Sequence, residues 1–457
     1  MNTKRISVFV LTVVCVSFLS VSAQQTYTLH DCLDYALKNN HTIKKNEFDK
    51  QKAGYARREA LAGLLPQING SANLNYNLKK AKFIMPNFMN AMLPPNMQDP
   101  NALDYMTIEM GMKYNANVGV SVNQQLLNFS LFNAQNIAQI AENMATLGVE
   151  SSEEEIIAQT AALFYAIQST EYAASEMDKS IDLVKKMLKT MEVNLSNGLV
   201  KKVDLDRLKV TFTNLITQRS AIQNGANAQK NMLKFQMGLD VNQSIDIAPI
   251  DLGYFEIQVA NETISPFAFA SQTPYRLLTE RQNMVKLQQK SAFYENLPTL
   301  SMTFNYQYNG SSEKFFKGPT NYWYPTSLIG LSLRIPIFDG LSRPAKMKEA
   351  SLELKKVNED MAVLEQSLTM AYLNANMKLE DSRKTIFLQK ENLRLAENVY
   401  KISEDNYKQG LSSMSDVLNA NQSLIQAQLS YADALNNFMK AFIDLKKNNG
   451  AIRDLTK

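Results

Sequence analysis

The sequence predicts a mainly α-helical fold with a smaller β-strand part, built from two copies of one unit. Three observations lead to this prediction. Apolar residues recur at three- and four-residue spacing over very long segments, and four shorter segments alternate apolar with polar residues. In addition, residues 198–208 are matched by residues 410–420, 212 positions later. An internal repeat of this length indicates a duplicated unit.

The repeated strings each lie between two helical patterns. After the second string, one apolar seam continues in coiled-coil spacing; its members are Val417, Ala420, Leu424, Ala427, Tyr431, Ala434, Phe438, Ala441 and Leu445. Residues 131–197 and 341–409 form the two longest helical patterns, and 69 residues correspond to about 100 Å of helix. The segments near 198–204 and 410–416 are therefore predicted to be the tips of two long, coiled-coil-type helical hairpins.

Four strands are predicted where the period changes from 3.6 to 2, at residues 67–78, 115–126, 299–309 and 328–338. Their polar faces carry mainly Asn, Ser, Thr and Gln. Residues 79–114 hold four prolines and seven methionines and are predicted to be an irregular loop. The offset between the two repeats changes by about 20 residues across this loop, so we expect an insertion there.

The chain is predicted to have five parts. Residues 1–23 have a basic start, an apolar run and a small-residue cleavage site at Val21-Ser22-Ala23, as in a secretory signal peptide. The others are a first structural repeat at 24–240, a linker or equatorial segment at 241–263, a second repeat at 264–450 and a C-terminal tail at 451–457.

Composition excludes several classes of protein. Without Lys4 and Arg5 of the signal peptide, 46 basic residues face 44 acidic ones, and this near-neutral balance argues against nucleic-acid binding. Only Cys32 remains after cleavage, so no intrachain disulfide is expected. No later stretch approaches the ~18 consecutive apolar residues of a membrane-spanning helix. If this exported chain spans a membrane, the spanning segments must therefore be something other than α-helices.

The sequence offers nothing for catalysis. His30 and His41 are the only histidines, and neither stands at metal-ligand spacing from a cysteine or a third histidine. No glycine-rich phosphate-binding string is present. We therefore predict no catalytic residues, no metal site and no cofactor, and the protein is not expected to be an enzyme.

The four amphipathic strands favour an outer-membrane β-barrel over the half-buried sheet of a soluble protein, because their polar faces suit a water-filled lumen. Four strands are too few to close a barrel, since the smallest single-chain examples have ~8. More than one copy of the chain would be needed.

The acids at the two tips allow two interpretations. Asp204 and Asp416 each lie at the start of the helix that follows a glycine turn, where an acid offsets the N-terminal partial charge. Alternatively, symmetric copies would bring identical acids together in a ring that favours cations. The residues alone leave both interpretations open.

The chain resembles the TolC-like outer-membrane efflux protein family over essentially its whole mature length. The resemblance rests on motifs that occur in order within the duplicated frame: residues 29–40, Leu64-Leu65-Pro66, Gly198 followed by Asp204, Leu297-Pro298, residues 336–340, residues 407–410 and residues 416–420. It implies a homotrimer in which four strands per chain form one shared twelve-stranded transmembrane β-barrel. The helical hairpins would form an α-helical barrel, with a belt made by the linker and the chain ends.

The resemblance also implies roles for single residues. Asp416 matches the family's acidic constriction, whereas Asn419 stands where a second acid is frequent, so the ring would carry three charges rather than six. Tyr407 matches an aromatic residue of the closing network, and Ser412 replaces an arginine of some members. The tip residues that would contact a periplasmic adaptor protein are Gly198, Leu199, Val200, Asp204, Gly410, Leu411 and Ser412.

The expected function is a passive exit duct in the outer membrane of a Gram-negative cell, in contact with outer-membrane lipid and extended into the periplasm. It would belong to a tripartite efflux or type I secretion system and carry small toxic molecules or secreted polypeptides. Its partners would be an adaptor (membrane fusion) protein and an inner-membrane pump of RND, ABC or MFS type. The alternatives are a trimeric coiled-coil surface or structural protein anchored by a small β-barrel, and a soluble periplasmic scaffold.

Overall fold

A computed structural model describes residues 26–253, 266–315, 317, 319 and 322–456. The predicted signal peptide, residues 1–23, and residues 254–263 of the predicted linker lie outside this range. The predicted mainly helical fold with a smaller strand part is confirmed, and the four predicted strands are accompanied, among the described residues, by four shorter ones. The chain divides into two compact units. The helical unit lies within residues 1–44, 151–272 and 368–457, and the sheet unit comprises residues 45–150 and 273–367.

The long helices have nearly the predicted bounds. The helices in chain order are α1 Leu29–Asn39, α2 His41–Ala62, α3 Phe88–Ala91, α4 Phe129–Ser196, α5 Lys202–Met237, α6 Thr273–Tyr294, α7 Ser342–Lys408 and α8 Met414–Asn448. In the described part of the chain, 3₁₀ turns are formed by Phe269–Ser271 and, within the predicted tail, by Ile452–Thr456. Among the described residues, no helix combines the length and the apolar character needed to span a membrane.

The helical segment that precedes the first predicted strand is broken at Asn40, between α1 and α2. The Asn40 carboxamide oxygen accepts a hydrogen bond from the Thr42 N–H at 2.7 Å and so starts α2. Its amide nitrogen donates to the carbonyl oxygen of Gln236 at 2.7 Å. Because Asn40 is buried, these two bonds together hold the break against α5.

The core of the helical unit lies along the predicted seams. Every seam residue of α8 from Val417 to Leu445 is buried, and Phe438 is only 1% exposed. These residues pack with Met191 of α4, Leu208 of α5 and Leu379 of α7 in one apolar cluster. The heptad spacing therefore identifies the side chains that join the two hairpins.

The sheet unit contains one four-stranded antiparallel sheet with the order β2-β5-β7-β8. Its strands are β2 Gln67–Tyr76, β5 Tyr114–Leu127, β7 Thr299–Ser312 and β8 Tyr322–Arg334. One apolar row crosses all four strands, since Ile68 pairs with Val122, Val122 with Phe304 and Phe304 with Ile329. On the opposite face, the Asn73 amide donates to the Asn117 side-chain oxygen at 2.8 Å.

The fourth strand begins and ends earlier than the predicted 328–338. Tyr322 pairs with Ser311, so the strand starts opposite the end of β7. Arg334 pairs with Thr299, the first residue of β7, and residues 335–338 therefore have no strand partner in β7. The aromatic start of β8 packs closely on β7, where Trp323 lies over Gly310. A Cβ at Gly310 would lie only 2.7 Å from the Trp323 indole, so the absence of a side chain allows this contact.

The segment predicted to be an irregular loop contains an ordered hairpin, and that prediction was wrong. Strand β3, Ala81–Pro86, pairs antiparallel with β4, Tyr105–Met110, and α3 lies between them. The alternation that marks a half-buried strand is missing here because Phe83 and Ile84, on opposite faces, are both apolar and both exposed.

The predicted linker also takes part in strand pairing. Strand β6, Asp246–Ile247, lies parallel to β1, Thr26–Tyr27, and the two form a separate two-stranded sheet. The start of the described chain is thereby joined to the segment that follows α5.

Candidate functional site

The tips of the two helical hairpins share one backbone geometry. Gly198 and Gly410 follow α4 and α7 with φ angles of 73° and 76°, in the left-handed region that favours glycine. Two backbone N–H groups at each tip close the helix end, as in the Schellman motif. The bonds run from Gly198 to Leu195 (3.0 Å), Leu199 to Asn194 (2.9 Å), Gly410 to Tyr407 (3.0 Å) and Leu411 to Asn406 (2.8 Å).

The residues just after the glycines are largely exposed in both tips. The side chains of Leu199 and Leu411 are 72% and 73% exposed, although both are apolar. Val200 and Ser412 are half-buried, and the Ser412 hydroxyl donates to the carbonyl oxygen of Ser403 at 3.2 Å. Each tip thus presents one leucine to solvent on a turn of defined geometry.

The helices that follow the tips begin differently. In the second tip, Ser413 caps α8 and Asp416 completes a capping box. The Asp416 carboxylate accepts from the Ser413 hydroxyl at 2.7 Å and from its N–H at 2.9 Å. Both hydrogen bonds lower the pKa of Asp416, and the bond from the Ser413 hydroxyl has the larger effect. In the first tip, Lys201 precedes α5 and makes no side-chain capping bond.

The first tip is joined to the second by a residue that the sequence interpretation missed. Arg207 lies 4.0 Å from the Asp204 carboxylate and donates to the Ser415 hydroxyl at 3.0 Å. At the repeat offset of 212, Arg207 occupies the position of Asn419. The repeat offset could have drawn attention to Arg207, because it aligns this cation in the first tip with a neutral amide in the second.

The three predicted constriction residues do not share one environment in the structure. Asp416 and Asn419 are both exposed and stand three residues apart on one face of α8. Tyr407 is half-buried, and its hydroxyl donates to the Met191 sulfur at 2.9 Å. Burial, followed by the negative charge of Asp204, raises the pKa of Tyr407. In one chain, Tyr407 therefore contacts the first hairpin, and a shared constriction remains a prediction for an assembly of several copies.

The described residues include no group of three His, Cys, Asp or Glu side chains placed to hold a metal ion. Cys32 is fully buried, and burial raises the pKa of its thiol to about 12. This thiol is consequently protonated and unreactive at neutral pH.

Comparisons with known proteins agree with this geometry. A family model described as "Outer membrane efflux protein" matches residues 280–451. The chain is 19% identical to the outer membrane protein TolC of Escherichia coli (strain K12) over 446 residues, which cover 95% of this chain and 84% of TolC. It is 21% identical to the proteases secretion protein PrtF of Dickeya chrysanthemi over 456 residues, covering 95% and 91% of the two chains.

Solved structures share the fold. The CmeC outer membrane channel of Campylobacter jejuni gives a TM-score of 0.72 at 15% identity, over 93% of this chain and 85% of CmeC. The MtrE outer membrane channel of Neisseria gonorrhoeae, in its open state, gives a TM-score of 0.70 at 14% identity, over 94% and 90% of the two chains. The resemblance to the TolC-like outer-membrane efflux proteins is thereby confirmed.

Proposed function

We propose that this chain, which resembles the TolC-like outer-membrane efflux proteins in sequence and fold, is the outer-membrane exit duct of a tripartite efflux or type I secretion system. Relatives with outer-membrane, efflux and protease-secretion names support this proposal. The duct would carry small toxic molecules or polypeptides across the periplasm and the outer membrane. The rival, a coiled-coil surface protein with a small anchor, does not explain why each chain contributes two strand pairs to one sheet.

The observation that carries the proposal is an open sheet with two edges. Within the described structure, β2 and β8 each pair on one side only. Their apolar side chains are exposed, with Ile68 at 69% and Leu331 at 69%. Four strands cannot close, because barrels need ~8 or more. Three copies, joined β8 to β2, would give twelve strands with an apolar face toward lipid and an amide-rich face toward water.

We expect the detergent-solubilised protein to have the protein mass of three mature chains. The reason is that an open, amphipathic sheet leaves backbone groups unpaired at its edges, and lipid offers them no hydrogen-bond partner. Light scattering with correction for bound detergent measures this mass. A stable monomer that needs no detergent would contradict the barrel and favour a soluble scaffold.

Both strand-connecting segments should face the cell exterior. Residues 77–113 join β2 to β5, and residues 313–321 join β7 to β8, while the long helices leave from the opposite strand ends. In a Cys32→Ser background, Asn96→Cys should react with an impermeant maleimide on intact cells, since Asn96 is exposed. Labelling that appears only after outer-membrane rupture would refute this orientation.

The hairpin tips are proposed to contact a periplasmic adaptor protein. Leu199 and Leu411 are exposed on matching turns, and a partner that covered them would remove two apolar side chains from water. Energy for transport would come from an inner-membrane pump of RND, ABC or MFS type. Three copies of Asp416 would surround the tunnel entrance and favour cations there.

A further inference from the structure

We propose that the β3–β4 hairpin, residues 81–110, is a self-association surface that narrows the outer mouth of the duct. The apolar side chains at the tip of the hairpin, residues 83–98, would pack against their equivalents in the other two copies, and the polar Asn96 side chain would stay accessible to solvent. This inference rests on the proposed trimer and goes beyond it, because a trimer can form through the sheet edges without any contact between hairpins.

The hairpin has a large exposed apolar surface. Large apolar side chains cover both faces of the ribbon and the turn between its strands. Those exposed by 43% or more are Phe83, Ile84, Phe88, Met89, Met92, Leu93, Met97, Leu103, Tyr105 and Met110. Such a concentration of exposed apolar side chains marks an interaction site, since soluble surfaces expose large apolar side chains singly.

The charge distribution of the hairpin favours other copies of the same segment as its partner. Residues 83–98 contain no Asp, Glu, Lys or Arg, in a chain that is 20% charged. The charged residues of the hairpin lie outside this stretch and are Lys82, Asp99, Asp104 and Glu109. When identical segments meet at a symmetry axis, each residue meets its own equivalents, and any charge would face like charges. An uncharged apolar tip avoids this repulsion. It also lacks the cations that an anionic lipid surface would attract.

Hydrogen bonds already order the tip of the hairpin in a single chain. Asn87 donates from its N–H to the Asp104 carbonyl at 2.8 Å, and Asn90 donates from its side chain to the Asp99 carbonyl at 3.1 Å. The Asp99 N–H returns a bond to the Asn90 side-chain oxygen at 2.9 Å. A surface held in this way loses little conformational entropy on binding.

The hairpin lies at an edge of the four-stranded sheet. It continues from β2, the strand that a neighbouring copy would have to approach. At its base, Lys80 is paired with Glu313, and Tyr114 contacts Tyr76 and Phe315 with ring centroids 4.9 and 5.5 Å apart. The base of the hairpin is therefore anchored to the connection between β7 and β8. In a trimer, one hairpin from each of the three copies would reach the mouth.

The test uses cysteine cross-linking in the intact detergent-solubilised protein. Met92 is 83% exposed at the tip of the hairpin. In a Cys32→Ser background, oxidation of Met92→Cys should link two of the three chains by a disulfide. The matched control is Lys317→Cys, exposed on the other strand connection, which should react with maleimide but give no cross-link.

Conductance supplies a second, independent measurement. Met92→Asp would place three like charges at the axis and push the hairpins apart, so single-channel conductance in a lipid bilayer should rise about twofold or more. Met92→Leu keeps an apolar side chain and should match the wild type. A trimer that shows neither the cross-link nor the conductance change overturns this inference and leaves the proposed duct intact. A monomer overturns both.

Discussion

Replacing Asp416 by asparagine should lower the cation selectivity of the channel and weaken its block by divalent and trivalent cations. In the proposed trimer, three Asp416 carboxylates crowd one narrow opening, and like charges at close range attract counter-ions strongly. Asn419, one turn further along the same face, is neutral. The ring therefore has no second set of acids to maintain selectivity when Asp416 is neutralised. Single-channel recordings with multivalent cations added on the periplasmic side measure both quantities.

Two control variants distinguish the proposed charge ring from the role of Asp416 in capping α8. Ser413→Ala removes the capping hydroxyl of α8 but keeps the Asp416 charge, so it should cost about 1 kcal/mol of stability and leave selectivity unchanged at neutral pH. Asp206→Asn neutralises an exposed acid of the first tip and should also leave selectivity unchanged. If Asp416→Asn behaves like these two controls, Asp416 serves only the capping box.

The capping box also predicts how the block depends on pH. In a single chain the Ser413 hydrogen bonds lower the pKa of Asp416, whereas three like charges crowded in a ring would raise it. Block by cations should be lost as pH falls through the pKa of the Asp416 carboxylates in the ring. In Ser413→Ala the hydrogen bond from the hydroxyl is gone and the pKa rises, so the loss should occur at higher pH.

The long helical hairpins could be predicted from the sequence because their cores obey one simple period. The α8 seam from Val417 to Leu445 is buried at each predicted position. The glycines of both tips were equally visible, since the repeat offset places Gly198 and Gly410 at the same point of two hairpins. Heptad spacing and an internal repeat can both be read from the residue types along the chain, without knowledge of which residues are in contact.

Other features depended on contacts that no local pattern shows. The break at Asn40 is held by a buried bond to Gln236, almost 200 residues away. The β3–β4 hairpin has no alternation because both of its faces are apolar. At the tips, the sequence indicated Asp416 but not that Ser413 is the capping residue, and it did not reveal the contact of Arg207 with Ser415.

Gly238→Ala should destabilise the protein much more than Gly410→Ala, although both glycines have the same left-handed backbone. Their φ angles are 73° and 76°. A Cβ at Gly410 would meet nothing within 4 Å, so only the backbone strain of about 1 to 2 kcal/mol is expected there. At Gly238 the Cβ would lie 2.7 Å from the Asn39 carbonyl oxygen, a backbone atom that cannot rotate away.

The clash at Gly238 adds an overpacking cost to the backbone strain, for a total of about 2 to 5 kcal/mol. Gly450 is its counterpart in the second repeat, with φ of 75°, and a Cβ there would lie 2.7 Å from the Ser271 carbonyl oxygen. Gly450→Ala should therefore match Gly238→Ala. Apparent melting temperatures from far-ultraviolet circular dichroism in detergent, at one scan rate, give the ranking. Equal melting temperatures for Gly238→Ala and Gly410→Ala would show that the α1 end moves away from Gly238 at little cost.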